Sequence, residues 1–484
     1  MQFTVASGFN ASAEIAASAS YPHVRLFTAD DTASNVTQTE LLAVLQPWSV
    51  AGPKTIGGGN WTYFSAVCWF YGKELADTLE YPIGLIASSW GGTRDEAWMD
   101  PAARAVCNAT AAANLDAGDA LAGAAAADGG HEAGGEAYTA SVEAIEVQKT
   151  MPWATAQQPA AVQGSVGPNA ASALWNSMVV PFLRTAIYGA IWYQGEADCT
   201  GGYPVGNHFS SVNYACTFPS LVASWRKHWH AASRSSTSAV FPFGFMQLST
   251  WTDKSNSTCG DGGSPSCDVG VVRWGQTGNV GTVPNSKMPA TFMAVAVDLG
   301  DPASPFGDIH PRYKKEMAAR LALSGRAVAY KDPQVPLVAT TGPLATKAAA
   351  GAGDDSVPES ALTGVDASAA ASMVTMVTVT FKNVGSKALK IKHGVGFEVS
   401  GVACDYTFPY KVPKGTWVGA PILKSNKDTV SISTAALNGT APMCVRYNWY
   451  NAACMPAIGP ELCAIYGNAA FGSWLPAPPF ILEV

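Results

Sequence analysis

Two hydrophobic periods divide the chain. Between about residues 60 and 330, short apolar runs alternate with stretches whose apolar positions recur at helical spacing. In "YFSAVCWFYGKELADTL" (63–79), Val67, Phe70, Leu75 and Leu79 carry that spacing. "YPIGLIASSWGG" (81–92) is a short apolar run closed by a glycine turn, the pattern of a strand buried on both faces. "TAIYGAIWYQGE" (185–196), "FPFGFMQLS" (241–249) and "PATFMAVAVDLGD" (289–301) are built the same way. Apolar strands alternating with amphipathic helices predict an α/β unit with a parallel sheet. Ligands bind such sheets at the carboxyl ends of the strands, where these runs turn polar.

After about residue 335 the period changes. "VTMVTVTFKNVGSKALKIK" (374–392) alternates apolar and polar, and "VGFEVSGVACDYTF", "DTVSISTAAL" and "MCVRYNWYN" continue as strands between Gly and Pro. The expected organisation is an α/β unit over 1–335 and a β-rich domain over 336–484, with the linker within 337–359. Residues 109–150 are rich in Ala and Gly and predict a surface insertion, in which His131 is incidental.

Composition narrows the class. A chain of 484 residues exceeds one ordinary core, and 48% hydrophobic with 13% charged residues marks a globular protein. A net charge of −7 without a basic cluster argues against nucleic acid as a partner. No apolar run reaches the ~18 residues of a membrane span. Ten cysteines without a CxxC pair argue against a zinc site and favour disulfides. Cys259–Cys267, Cys199–Cys216 and Cys454–Cys463 are plausible local loops, though spacing does not fix pairing. Asn-x-Ser/Thr acceptors at Asn10, Asn35, Asn60, Asn108, Asn256 and Asn438 point, with the even cysteine count, to a secreted or lysosomal protein. "MQFTVASGFN" has no signal-peptide character, so the chain is expected to lack its beginning.

Three strand ends carry candidate chemistry. "PFGDIHPRYKKEM" (305–317) sets Asp308 two residues before His310, with Pro311 opening a helix. An acid–His pair is what acyl transfer requires: one group orients the ring, the other takes a proton. The blander role for Asp308 is a helix N-cap. In "WYQGEADC" (192–199), Gln194 can donate to a developing oxyanion, and Glu196 can orient that amide or act as an acid. The alternative is a buried polar network at the sheet edge. In "IASSWGGTRDEAW" (86–98), Gly91 and Gly92 permit a tight turn with a second backbone donor. Ser88 and Ser89 sit at the strand end, but their flanks do not match a GxSxG elbow. His228 and His230 read as helix surface.

"SAVCWFYGKELADTLEYPIGLIASSWGGT", "LWNSMVVPFLRTAIYGAIWYQGE", "VVRWGQT", "SPFGDIHPRYKKEMAARLAL" and "LPAPPFI" occur in the order of one family's segments. The chain resembles the sialate O-acetylesterases, carbohydrate esterases of the SGNH-hydrolase type, over nearly its whole length. The resemblance implies an SGNH/flavodoxin-like three-layer parallel sheet and hydrolysis of O-acetyl esters on sialic acids or related sugars. It makes His310 the catalytic histidine, with Asp308 as its third-member candidate. Gln194 and Gly91 become the oxyanion-hole donors. Glu196, Trp90 and Arg273 are the substrate-binding candidates. Arg94 is a further candidate for the substrate's anionic group, and Arg312 reads as a surface salt-bridge partner. No metal or organic cofactor is implied. The family's nucleophile is the serine of a "GQSNM" motif, of which Met1 would be the methionine. The first strand is therefore expected to be missing, leaving a slot beside residues 83–88 that His310 faces. A truncated relative that binds glycans without turnover is the alternative.

Overall fold

A computed structural model describes residues 1–58, 63–107, 166–199, 210–251, 268–352, 375–404, 416–452, 454 and 463–484. The expected insertion at 109–150 and the Cys259–Cys267 loop lie outside them.

The first unit holds two three-stranded sheets. In one, β1 (Val24–Ala29) is central, antiparallel to β2 (Val44–Val50) and parallel to β3 (Ile83–Ala87). In the other, β4 (Ala190–Trp192), β5 (Phe243–Gln247) and β6 (Thr291–Val295) are parallel neighbours. Strands β3 to β6 are the four apolar runs of the sequence. Helices α1 (Ala11–Ala17), α2 (Pro53–Ile56), α3 (Ala66–Leu79), α4 (Ser210–Ala232), α5 (Asp268–Gly275) and α6 (Lys314–Val328) complete the unit.

Local chemistry sets the boundaries of α3. The Ser65 hydroxyl accepts from the Cys68 N–H at 3.2 Å, and Glu80 closes the helix in the left-handed region ahead of Pro82. Both faces of the β5 sheet are covered. The Phe243 and Phe245 rings pack on Phe218 of α4, while a Cβ on Gly244 would strike Phe292 on the other side. That double burial is why β5 and β6 are apolar throughout.

Among the described residues the two sheets do not join. A cavity of about 460 Å³ separates β3 from β4, and residues of both strands line it from end to end. His310 is not among its lining residues.

The second region is antiparallel. One sheet runs β12 (Ile422–Ser425), β13 (Thr429–Ser433), β8 (Thr375–Lys382), β7 (Leu344–Ala352). Another runs β11 (Trp417–Gly419), β10 (Phe397–Ser400), β14 (Cys444–Tyr447), β17 (Phe480–Glu483). A third joins β16 (Trp474–Pro476), β15 (Ile465–Asn468) and β9 (Lys390–Ile391). The stretch read as containing a linker is thus partly strand, because β7 pairs along β8.

The regions share buried contacts. Asp298 takes Arg320 of α6 in a bidentate pair and accepts from the Tyr466 hydroxyl of β15 at 3.2 Å. Val271 and Trp274 of α5 belong to the second region's core. Disulfides join Cys107–Cys216, Cys404–Cys444 and Cys454–Cys463. The Cys199–Cys216 loop is corrected: Cys216 bonds Cys107, and the buried Cys199 thiol donates to the Gly195 carbonyl at 3.1 Å.

Candidate active site

Four segments converge on residues 2 and 3. The Gly91 N–H, just past β3, donates to Gln2 Oε1 at 2.6 Å. Gln2 in turn donates through Nε2 to both oxygens of Asp31 at 2.8 Å. The Phe3 ring meets Phe306 edge-on at 5.5 Å. Lys314 Nζ sits 4.8 Å from the Phe3 ring and 4.6 Å from that of Tyr193, the residue before Gln194. The ends of β3 and β4 are tied by Gln194 Nε2, which donates to the Thr93 carbonyl at 2.9 Å.

His310 lies in the turn between β6 and α6. Its Nδ1 is 2.9 Å from the Phe306 carbonyl. Only a protonated Nδ1 can donate there, which leaves Nε2 as the basic nitrogen. Burial, reinforced by the Lys314 ammonium, pushes the His310 pKa down to about 4. The imidazole is neutral at physiological pH, as a general base must be. Helix α6 begins at Lys314 with Tyr313 at its N-cap, so Asp308 does not cap a helix opened by Pro311, and the acceptor on Nδ1 is a main-chain carbonyl.

Gln194 is held on three sides. Its Oε1 accepts from the Tyr214 hydroxyl at 2.9 Å, and its Nε2 donates to Asp198 as well as to Thr93. Gly195 permits this turn: its φ is +128°, and a Cβ would meet Val272 at 2.9 Å. Gly92 does the same for the opposite turn at φ +73°. Behind Gln194, carboxylate oxygens of Asp95, Glu96 and Asp198 lie within 4.8 Å of one another. Burial and the neighbouring Asp198 raise Asp95 well above the usual carboxylate range and Glu96 to about 7. Such a cluster retains a proton at neutral pH.

Trp90 lines the inter-sheet cavity beside Ser88, Ser89, Thr93 and Gln194. The Ser88 hydroxyl donates to the Met178 carbonyl at 2.7 Å. Burial pushes the Lys314 pKa down to about 7, and Glu196, partly buried on that side, opposes the shift.

Arg273 is a correction. It is fully buried, and its guanidinium donates to the carbonyls of Leu248, Ser249, Tyr450 and Asn451 at 2.6–3.1 Å. Its donors bind α5 to both regions of the protein and leave no face for a substrate. Arg312 pairs with Asp301 at 2.6 Å and 3.0 Å, the salt-bridge role read for it.

Gln2, Lys314 and Asp198 were not legible as site residues. Lys314 stands in a charged run, "RYKKE", that reads as helix surface, yet it is 3% exposed. The one available signal was its place one turn after His310.

A neutral imidazole with an anchored Nδ1, a gripped side-chain amide and a backbone N–H gather at the carboxyl ends of parallel strands, and the relatives of this chain make it a carboxylic ester hydrolase. Residues 367–484 match the family model described as the sialate O-acetylesterase C-terminal domain. The sialate O-acetylesterase of Mus musculus is 33% identical over 484 residues, covering 100% of this chain and 75% of that protein. The Homo sapiens sialate O-acetylesterase is 32% identical over 481 residues, covering 99% of this chain and 72% of that protein. The fold is similar to the crystal structure of a carbohydrate acetylesterase from Xanthomonas citri. That likeness has a TM-score of 0.63 at 22% identity and covers 100% of this chain and 78% of that one. The chain belongs to the sialate O-acetylesterase family.

Proposed function

We propose that this site hydrolyses O-acetyl esters on sialic acids or related acetylated sugars. The observation that carries this reading is the neutral His310 with Nδ1 anchored on the Phe306 carbonyl, in a chain of this family. A serine hydroxyl attacks the acetyl carbonyl while His310 Nε2 takes its proton. Gly91 N–H and the Gln194 amide stabilise the oxyanion. His310 returns the proton to the sugar oxygen as the C–O bond breaks. Water, deprotonated by the same nitrogen, then releases acetate from the acetyl-serine.

Ser88 is not the nucleophile in this reading, because its hydroxyl proton is engaged by Met178. The nucleophile is instead the serine of a GQSN segment, as the family pattern has it. Asp308 remains the candidate third member, acting with the Phe306 carbonyl. Trp90 and Glu196 are the substrate-side candidates.

The test compares acetate release from an O-acetylated sialic acid by this chain and by a form preceded by a strand ending in Gly-Gln-Ser-Asn. Release by the longer form alone, lost in His310→Ala, is expected. Release by neither would overturn the esterase reading. Full turnover by this chain alone would move the nucleophile to Ser89 or Ser88.

One observation favours a second reading, glycan binding without turnover. Gly91 N–H is satisfied by Gln2, and the Gln194 N–H groups by Thr93 and Asp198. Sialic acid binding by both forms with acetate release by neither would select it.

The proposed setting is secreted or lysosomal, with glycosylation. The described acceptors Asn10, Asn35 and Asn438 are exposed, and three disulfides suit an oxidising compartment. Among the described residues no helix is long and apolar enough to cross a membrane.

A further inference from the structure

The antiparallel region carries an aromatic surface flanked by cations that the hydrolytic site does not use. Register fixes which side chains share it. Asn468 pairs with Trp474 between β15 and β16, and Tyr466 pairs with Lys390 between β15 and β9. Opposite partners point to one face, as do residues two apart on a strand. Trp474, Asn468, Tyr466 and Lys390 therefore lie on the same side of this sheet. At one end the first unit covers that face, where Tyr466 is buried with its hydroxyl on Asp298. Toward the other end it opens: Trp474 and Asn468 are only partly buried and Lys390 is exposed.

The charge on this face stands out. Lys390 Nζ lies 5.2 Å and Lys387 Nζ 5.9 Å from the centroid of the Trp474 ring. Among the described residues neither lysine is paired with a carboxylate, in a chain whose net charge is −7. Two ammonium groups drawn to one ring repel each other, and an anion between them relieves that repulsion. Asn468 accepts from the Ser386 hydroxyl at 3.2 Å and donates to the Ser473 carbonyl at 3.4 Å, which leaves its second amide N–H for a ligand. In the turn between β15 and β16, Phe471 is held in the left-handed region at φ +57° with its ring 67% exposed, 5.4 Å from Arg326 of α6. Backbone strain at a bulky exposed residue is a feature that gathers at binding sites.

From this arrangement we infer that the Trp474 face is a binding site for a carboxylate-bearing sugar residue, outside the hydrolytic site. The apolar face of the pyranose covers the indole, the carboxylate sits between Lys387 and Lys390, and the Asn468 amide donates to a hydroxyl. A neutral sugar keeps the stacking and loses both charged contacts. The choice of a sugar among anions rests on the acetylated-sugar reading of the esterase, and the site would hold a glycan at a second point while its ester is cleaved elsewhere.

The test is nitrogen-15 NMR of the tryptophan indoles in the full chain, with the Trp474 signal identified by its loss in Trp474→Phe. The probes are 3′-sialyllactose, lactose and adenosine monophosphate. Millimolar sialyllactose is expected to move the Trp474 signal, with lactose binding about tenfold more weakly. The double variant Lys387→Ser, Lys390→Ser alters only exposed side chains and should weaken sialyllactose binding by about tenfold and flatten its salt dependence. Should Trp474→Phe fail to fold, calorimetric titration of that lysine variant against wild type reads the same loss. No movement of the Trp474 signal, equal binding of lactose, unchanged binding in the lysine variant, or adenosine monophosphate bound as tightly as sialyllactose would overturn the inference. Acetate release is not the readout. A chain without turnover that binds here upholds the site, and an active esterase whose Trp474 signal stays still sinks the site alone.

Discussion

His310 offers the sharpest test, because its protonation is tied to both the proposed base and the fold. Its pKa moves from 6.5 to about 4, chiefly through burial and then through the Lys314 ammonium. At ~1.36 kcal/mol per pH unit that difference is worth ~3 kcal/mol. The sign follows from linkage. Between pH 6.5 and 4 the unfolded chain holds the proton and the folded chain does not, so stability falls as pH drops through that window. The assay is nitrogen-15 NMR of the imidazoles, with His310 assigned by its loss in His310→Gln. Two results are expected: an Nδ1–H tautomer at pH 7 and titration near pH 4. Lys314→Met should move that titration upward, toward 6.5, because it removes a neighbouring cation. Titration of wild-type His310 near 6.5, or an Nε2–H tautomer, would refute both the burial argument and the Phe306 anchor.

Three further outcomes follow from the packing. Arg273→Met strips donors from four buried carbonyls and should cost on the order of 4 kcal/mol, at ~1 kcal/mol each; a variant that melts like wild type but loses sialic acid binding would restore Arg273 to the substrate side. Replacing Cys107 and Cys216 by serine opens a loop of sequence separation 109 and should cost ~4–5 kcal/mol in thermal or denaturant melts; unchanged melting would sink that pairing. Cys68 and Cys199 should resist thiol labelling in the native protein and react after denaturation, since both are buried and burial pushes the Cys68 thiol up to about 12; peptide mapping reads the result.

Much of the α/β architecture was legible because its signals are local. Strands β3 to β6 announce themselves as apolar runs, and α3 as a helical period. Strands β1 and β2 were not read, since β1 is defined by pairing with β3, more than fifty residues away in sequence. The same distance problem hides the Cys107–Cys216 bond and led to the nearer Cys199. Arg273 misled for a related reason. "VRWGQT" gives no sign that its helix is wedged between two regions, and the carbonyls that engage the guanidinium come from residues 248–249 and 450–451. Within the site, His310, Gln194 and Gly91 stand out by residue type at strand ends. Lys314, Gln2 and Asp198 do not, because their importance lies in partners that only the folded chain brings near.

The divided sheet also bears on how the protein comes apart. Among the described residues no main-chain bond joins β3 to β4, and the β2–β1–β3 half meets the β4–β5–β6 half through packing such as that of α3 on α6. Side-chain packing rather than a ladder therefore couples the two halves, and amide exchange in β1 and β5 reports whether they open together.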